Sequence, residues 1–198
     1  FRFICIVKYY WMKLIIISAS VREGRKSHRA ALFFKNFLIK KYQADVSIAD
    51  LDELNFPLFK ERLRFQKNKS PEVVAFAENI KQSEGVLIIT PEYNGGYPAS
   101  LKNVIDLMYD EWRRKPVAIA TVSDGMFGGM QAITSLQFIL WKIRAWTVPA
   151  MFPMPQIDKN FDADGTAIDI EGTEKRATVF CDEWMWCIEA NRRMQLNH

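Results

Sequence analysis

Cysteine is scarce and odd in number: Cys5, Cys181 and Cys187 are the full set. Three thiols cannot complete a disulfide framework, and their spacing is not that of metal ligands. The expectation is reduced, half-buried thiols in a cytoplasmic protein, with no metal site. Long apolar runs are also missing. None approaches the roughly 20 residues that a membrane-spanning helix needs, so no membrane partner is expected. Charge of one sign is not concentrated either: 27 lysines and arginines face 23 acids, a net +4 mixed along the chain. No basic stripe interleaves with exposed aromatics, which argues against nucleic acid as a partner. Neither the Gly-x-Gly-x-x-Gly of dinucleotide sites nor the Gly-Lys-Ser/Thr of a P-loop occurs. There is no internal repeat and no low-complexity tract.

What is present is globular material. The 198 residues are 49% hydrophobic, enough for one domain with a substantial core. Residues 1–11 stand apart. Their apolar stretch is short and broken by Lys8, and no small-residue cleavage site follows, unlike a secretory signal. Met12 precedes a clean strand. The natural protein is therefore expected to start at Met12, with 1–11 an extension and 12–198 a single domain.

From Met12 onward, strand and helix patterns alternate. The run Leu14-Ile15-Ile16-Ile17-Ser18 reads as a strand buried on both faces. Apolar residues from Ala30 to Ile39 then recur at helical spacing up to about Tyr42. A second strand is expected over 46–49, and a loop with one turn of helix over 54–69. Ser70-Pro71-Glu72 is a helix start, with a capping serine, proline at the first position and an acid behind. That helix runs to about Ser83. Strands at 86–90 and 117–122 enclose a helix over 99–112. A glycine turn over 123–129 leads to an apolar helix to about Ala145, and a short fifth strand is expected over 146–150. Residues 151–172 carry little pattern and read as an ordered excursion before a closing amphipathic helix over 173–194. Such alternation predicts an α/β three-layer sandwich on a parallel sheet, because parallel strands need helical crossovers.

Three strand ends carry the chemistry, and in such a sheet all three point to one edge, where ligands bind. The first loop, from Ser18 to Arg29, joins a strand to a helix N-terminus and holds Ser20, Arg22, Ser27 and His28. Serine hydroxyls, guanidinium groups and helix amides together suit a mononucleotide phosphate. The same residues equally suit a solvated basic turn with a capping serine. The second loop is Pro91-Glu92-Tyr93-Asn94-Gly95-Gly96-Tyr97-Pro98. A planar aromatic, an amide and two glycines that admit close backbone approach suit a flat heterocycle with polar edges. A turn whose tyrosine packs locally is the plainer alternative. The third loop, 123–130, offers Ser123, Gly125 and the pair Gly128-Gly129 at a helix start. Those glycines either expose amides to a ligand or simply let the helix pack.

Taken together, the three loops resemble the NADPH-dependent FMN reductases of the flavodoxin-like superfamily, which include quinone, azo-dye and chromate reductases. The resemblance covers 12 to about 151. It rests on Ser20, Arg22 and Ser27 in the first loop. It rests most on Pro91-Glu92-Tyr93-Asn94 with Pro98 and Leu101-Lys102-Asn103-Val104-Ile105-Asp106. Ser123, Gly125, Gly128 and Gly129 complete it. Ala19 departs from the pattern, standing where the family has glycine. The resemblance implies a flavodoxin-like five-stranded parallel sheet of order 2-1-3-4-5, bound FMN, and NADPH as hydride donor. It places the flavin phosphate on Ser20, Arg22, Ser27 and His28. Pro91, Glu92, Tyr93, Asn94 and Gly95 would border the ring and ribityl chain, with Ser123 and Gly125 on the far side. Hydride would pass from NAD(P)H to the flavin and electrons on to a quinone, flavin, azo or similar small-molecule acceptor in a ping-pong cycle with no catalytic side chain. The alternative is a flavodoxin-like electron carrier. A homodimer or homotetramer is also implied, with its contact at the end of the apolar helix around Phe138 to Trp141.

Overall fold

The computed structural model describes residues 12–196. The extension expected over 1–11 lies outside the described residues, as does Cys5. Five strands, β1 (Lys13–Ser18), β2 (Asp45–Asp50), β3 (Gly85–Pro91), β4 (Pro116–Val122) and β5 (Trp146–Met154), form one parallel sheet of order β2-β1-β3-β4-β5. This is the flavodoxin-like order. The helices are α1 (Ser27–Tyr42), a single turn α2 (Leu51–Leu54), α3 (Pro71–Gln82), α4 (Ala99–Leu107), α5 (Met130–Lys142) and α6 (Ile170–Leu196).

Side-chain alternation builds a core on each face of the sheet. Leu14 and Ile16 of β1 join Phe34 and Phe37 of α1 and Phe180 and Trp184 of α6. Ile15 and Ile17 face the other way, toward Phe76 of α3, Leu101 and Ile105 of α4, and Ile133 and Leu136 of α5. Central strands buried on both faces need continuous Val/Ile/Leu runs, which β1 and β3 supply. The chain leaves β1 toward β2 and returns past β1 to β3, so the sheet's winding reverses between β1 and β3. There the Ala19 amide donates to the Ile89 carbonyl across 3.0 Å. Crevices at such reversals, at the carboxyl ends of the strands, are where open α/β sheets take ligands.

Several elements depart from the sequence reading. The helix expected over 99–112 ends at Leu107. Met108 is extended, and Asp110–Trp112 forms a separate 3-10 turn that buries Trp112. The loop 54–69 carries its one expected helical turn as the 3-10 turn Leu63–Phe65, but α2, just before it, is absent from the sequence reading. β5 runs on to Met154 through Pro149 and Pro153, which it tolerates because it is the edge strand and is offset against β4 between Val117 and Ile119. Cys181 and Cys187 are buried rather than half-buried, and burial pushes the Cys181 thiol far up.

Candidate functional site

The carboxyl edge of the sheet holds a cavity of about 460 Å³ between the loops after β1, β3 and β4. Of the residues picked out by sequence, Ser20, Arg22, Ser27, Pro91, Glu92, Tyr93, Ser123 and Gly125 line it, whereas His28, Asn94 and Gly95 do not.

The first wall is the turn 19–26 and the start of α1. Ser20 is buried, and its hydroxyl lies 2.7 Å from the Tyr93 hydroxyl, which joins the first loop to the second. Arg22 is exposed, and its guanidinium has no polar partner among the described residues. Ser27, the first residue of α1, is 4% exposed, and its hydroxyl has no hydrogen-bond partner among the described residues. α1 has no side-chain cap and no acid in its first turn. The first amides of α1 thus have no side-chain cap of their own.

Behind this wall sits Asp50, at the carboxyl end of β2, a residue that sequence reasoning missed. Arg25 grips its carboxylate with both guanidinium prongs, one at 2.6 Å. His28 Nδ1 stands 3.1 Å from Asp50 and 3.1 Å from the Ser18 hydroxyl. Hydrogen bonding to Asp50 holds Arg25 even more firmly protonated than usual, outweighing its partial burial. Arg25 is therefore committed to the protein, and Arg22 is the guanidinium left for a ligand. On the outer flank, Lys26 and Arg29 clasp Asp158, joining α1 to the turn after β5. The Lys26 hydrogen bond is the main reason that the Asp158 carboxyl sits below its usual range.

The second loop is a tight hairpin. Tyr93 and Gly96 exchange backbone hydrogen bonds at 2.7 and 3.0 Å around Asn94 and Gly95, which have φ of 51° and 78°. Two consecutive positive φ values favour Asn-Gly over other pairs. Asn94 and Gly95 thus make the turn that presents Tyr93, and they sit outside the cavity lining. Glu92 reaches across to α5, where its carboxylate accepts from the amides of Gln131 at 3.0 Å and Ala132 at 3.4 Å. It supplies the cap that α5 lacks locally, since Gly129 precedes that helix. The sequence shows that a helix starting after two glycines has no capping side chain of its own, but not which distant residue supplies one.

In the third loop the Ser123 hydroxyl donates to the Gly125 carbonyl at 3.0 Å. Gly129 has φ 81°, and a Cβ there would stand 3.0 Å from Thr121 Cβ, so this glycine lets α5 pack against β4. At Gly125, a Cβ would meet only the Ser123 hydroxyl at 3.8 Å. Phe127, 85% exposed, forms an apolar lip on the cavity.

A loop of hydroxyls and a free guanidinium on an open helix start, at the reversal of a 2-1-3-4-5 sheet, has the donors that a mononucleotide phosphate would need. The family model for NADPH-dependent FMN reductase matches residues 12–159. The chain belongs to that family. An NAD(P)H-dependent FMN reductase of Schizosaccharomyces pombe is 30% identical over 147 residues, 70% of each chain. A quinone reductase of Escherichia coli is 40% identical over 135 residues, covering 65% of this chain and 69% of that one. Among solved structures, the flavoenzyme NAD(P)H:(acceptor) oxidoreductase FerB of Paracoccus denitrificans superimposes with a TM-score of 0.72 at 26% identity. It covers 91% of this chain and 98% of that one. A flavodoxin from Pseudomonas aeruginosa, 18% identical with a TM-score of 0.54 over 88% of this chain and 99% of its own, shares the fold. This member of the FMN reductase family is an oxidoreductase.

The residues present fit FMN. The buried, unpartnered Ser27 hydroxyl and the uncapped α1 match a phosphate, and the cavity continues from them past Tyr93 to Ser123 and Gly125. Of the carboxylates that line the cavity, Glu92 is already engaged at α5.

Proposed function

We propose that this protein binds FMN in the cavity and uses it to take hydride from NAD(P)H, NADPH being the expected donor, and to reduce a small acceptor such as a quinone, a flavin or an azo compound. The observation that carries this reading is the Ser27 hydroxyl, buried and unpaired at the open start of α1 beside the free Arg22. A buried hydroxyl without a partner is costly, and a phosphate oxygen would answer it.

FMN, when bound, supplies the two-electron chemistry in a ping-pong cycle. The chain's part is to hold and orient it. Ser20, Arg22, Ser27 and the first amides of α1 would take the phosphate, and His28 would steady that loop from behind. Tyr93, kept in place by Ser20 and by the Asn94-Gly95 turn, would flank the ring on one side, with Ser123 and Gly125 on the other. Open backbone amides of the third loop would donate to charge developing on the ring's polar edge.

A soluble electron carrier of the same fold is the second reading. Flavodoxins tend to be strongly acidic, whereas this chain carries a net +4, which favours the reductase. The buried free thiols Cys181 and Cys187 fit a reducing compartment, and the reading extends to a cytoplasmic enzyme. Self-association would use the exposed face of α5. The deciding experiment is anaerobic titration of the FMN-loaded protein with NADPH while following flavin absorbance. Bleaching at one equivalent is expected. Bound flavin that neither NADPH nor NADH bleaches would point to the carrier, and failure to bind FMN would remove the ligand assignment.

A further inference from the structure

We propose that Asp50 is the positioning residue of the phosphate loop, setting its shape from behind without touching the ligand. The inference rests on the reading that the flavin phosphate lies on that loop.

Asp50 is 4% exposed and stands at the end of β2, outside the cavity lining. Its carboxylate has partners on three segments. It receives both prongs of Arg25, which in turn donates to the Ser20 carbonyl at 2.7 Å. It stands 3.1 Å from His28 Nδ1 in the first turn of α1. It also accepts the Asp52 amide at 3.1 Å, which starts α2. Arg25 has a second, longer ion pair to Asp52, at 3.4 Å. The turn 19–26 has little order of its own, its internal backbone bond running from the Arg25 amide to the Arg22 carbonyl at 3.1 Å. Through Arg25 one buried carboxylate therefore holds the Ser20 end of an otherwise irregular turn, and it stands beside His28 at the start of α1.

A buried carboxylate must keep its cationic and hydrogen-bonding partners, because leaving it bare is strongly unfavourable. The planar fork of Arg25 fixes direction as well as distance, which a lysine could not do. The loop is thus held in its receiving shape before any ligand arrives, with Ser20, Arg22 and Ser27 on its far side. Rigidity prepared in this way is how supporting residues raise affinity without contact.

Simple electrostatics gives the opposite expectation. Removing an anion near a phosphate site, and freeing Arg25 to turn toward it, would tighten phosphate binding. The two accounts differ in sign, so one comparison separates them. The 198-residue chain, stripped of flavin, is titrated with FMN and with riboflavin, which lacks the phosphate, and binding is followed by flavin fluorescence. In wild type, FMN is expected to bind more tightly than riboflavin. In Asp50→Asn, FMN affinity is expected to fall on the order of ten- to a hundredfold, the scale typical of outer-shell partners around bound ions. Riboflavin affinity should hold, so the preference for FMN shrinks. A general loss of structure would weaken both ligands alike and leave the ratio unchanged, which would overturn the inference, as would tighter FMN binding. If Asp50→Asn does not fold, Arg25→Lys, which keeps the charge and loses the fork, should shrink the same ratio. A wild type with no preference for FMN over riboflavin would instead remove the phosphate placement itself.

Discussion

Ser20 and Ser27 are both buried serines on the cavity wall, yet only Ser20 has its hydroxyl answered, by Tyr93. The difference has a consequence with two signs. Ser27→Ala removes an unpaired buried hydroxyl, so the flavin-free protein should gain about 1 kcal/mol in urea denaturation. The same change should weaken FMN binding about tenfold, the worth of one hydrogen bond to a charged oxygen. Lower stability with unchanged flavin affinity would show that Ser27 serves only the fold. Residue type and order were enough to bring Ser20, Arg22 and Ser27 into one loop. They could not tell Arg22 from Arg25, because the partner that claims Arg25 lies 25 positions away on another strand. Glu92 was legible as a loop residue and not as a cap, for its amide partners lie 39 and 40 positions on. Long-range polar pairing leaves no local pattern in a sequence.

Among the elements, those with strong periodicity were found where expected. α3 is the clearest: the Ser70 hydroxyl accepts from the Val73 amide and Pro71 opens the helix. Its other end holds a group that no periodicity reveals. Lys115, just ahead of β4, donates to the carbonyls of Lys81 and Ser83 and so closes the α3 carboxyl end. Burial lowers its pKa to about 8, with Glu84 opposing in part. An unfolded lysine titrates near 10.5. Between pH 8 and 10.5 the unfolded chain therefore holds more protons at this site than the folded one, and folding stability contributed by Lys115 rises with pH. In Lys115→Met that rise should vanish, so the stability gap between wild type and variant should widen in favour of wild type across the window. A gap independent of pH in urea titrations would refute it. The carboxyl ends of α4 and α5 were less legible. Both give way to residues whose backbone is set by tertiary contacts, such as Arg144, at φ 63°, whose carbonyl accepts from Arg114 at 2.8 Å.

For the whole molecule, two cores on one sheet account for nearly every large apolar side chain on α4, and for Ile133, Leu136 and Leu140 on α5. They do not account for Phe138 and Trp141, which are exposed at 59% and 66% and pack against each other at 5.9 Å. Met130 at the start of α5 and Phe127 at the lip of the cavity are exposed as well. Aromatic side chains bury about 150–250 Å² each, and a stable interface takes roughly 800 Å² per partner, so this face can anchor a second copy. Sedimentation equilibrium should show a multiple of 23.0 kDa for wild type and 23.0 kDa itself for the double variant Phe138→Ser, Trp141→Ser. A wild-type monomer would end the proposal. Strand count and the parallel arrangement were readable at this scale because they follow from five apolar runs separated by helical ones, whereas the strand order came from the family resemblance. The path of 151–172 was not. It is set by contacts such as Gly165 against Leu32 and the Arg29 carbonyl on α1.

Two helices begin at the cavity, and they are not equivalent. α5 arrives with its first amides already bound to Glu92, whereas α1 arrives with none of its own acids. On the proposed reading, an anionic group would be received at α1 rather than at α5, and a ligand with a single anionic terminus would take its orientation from that difference.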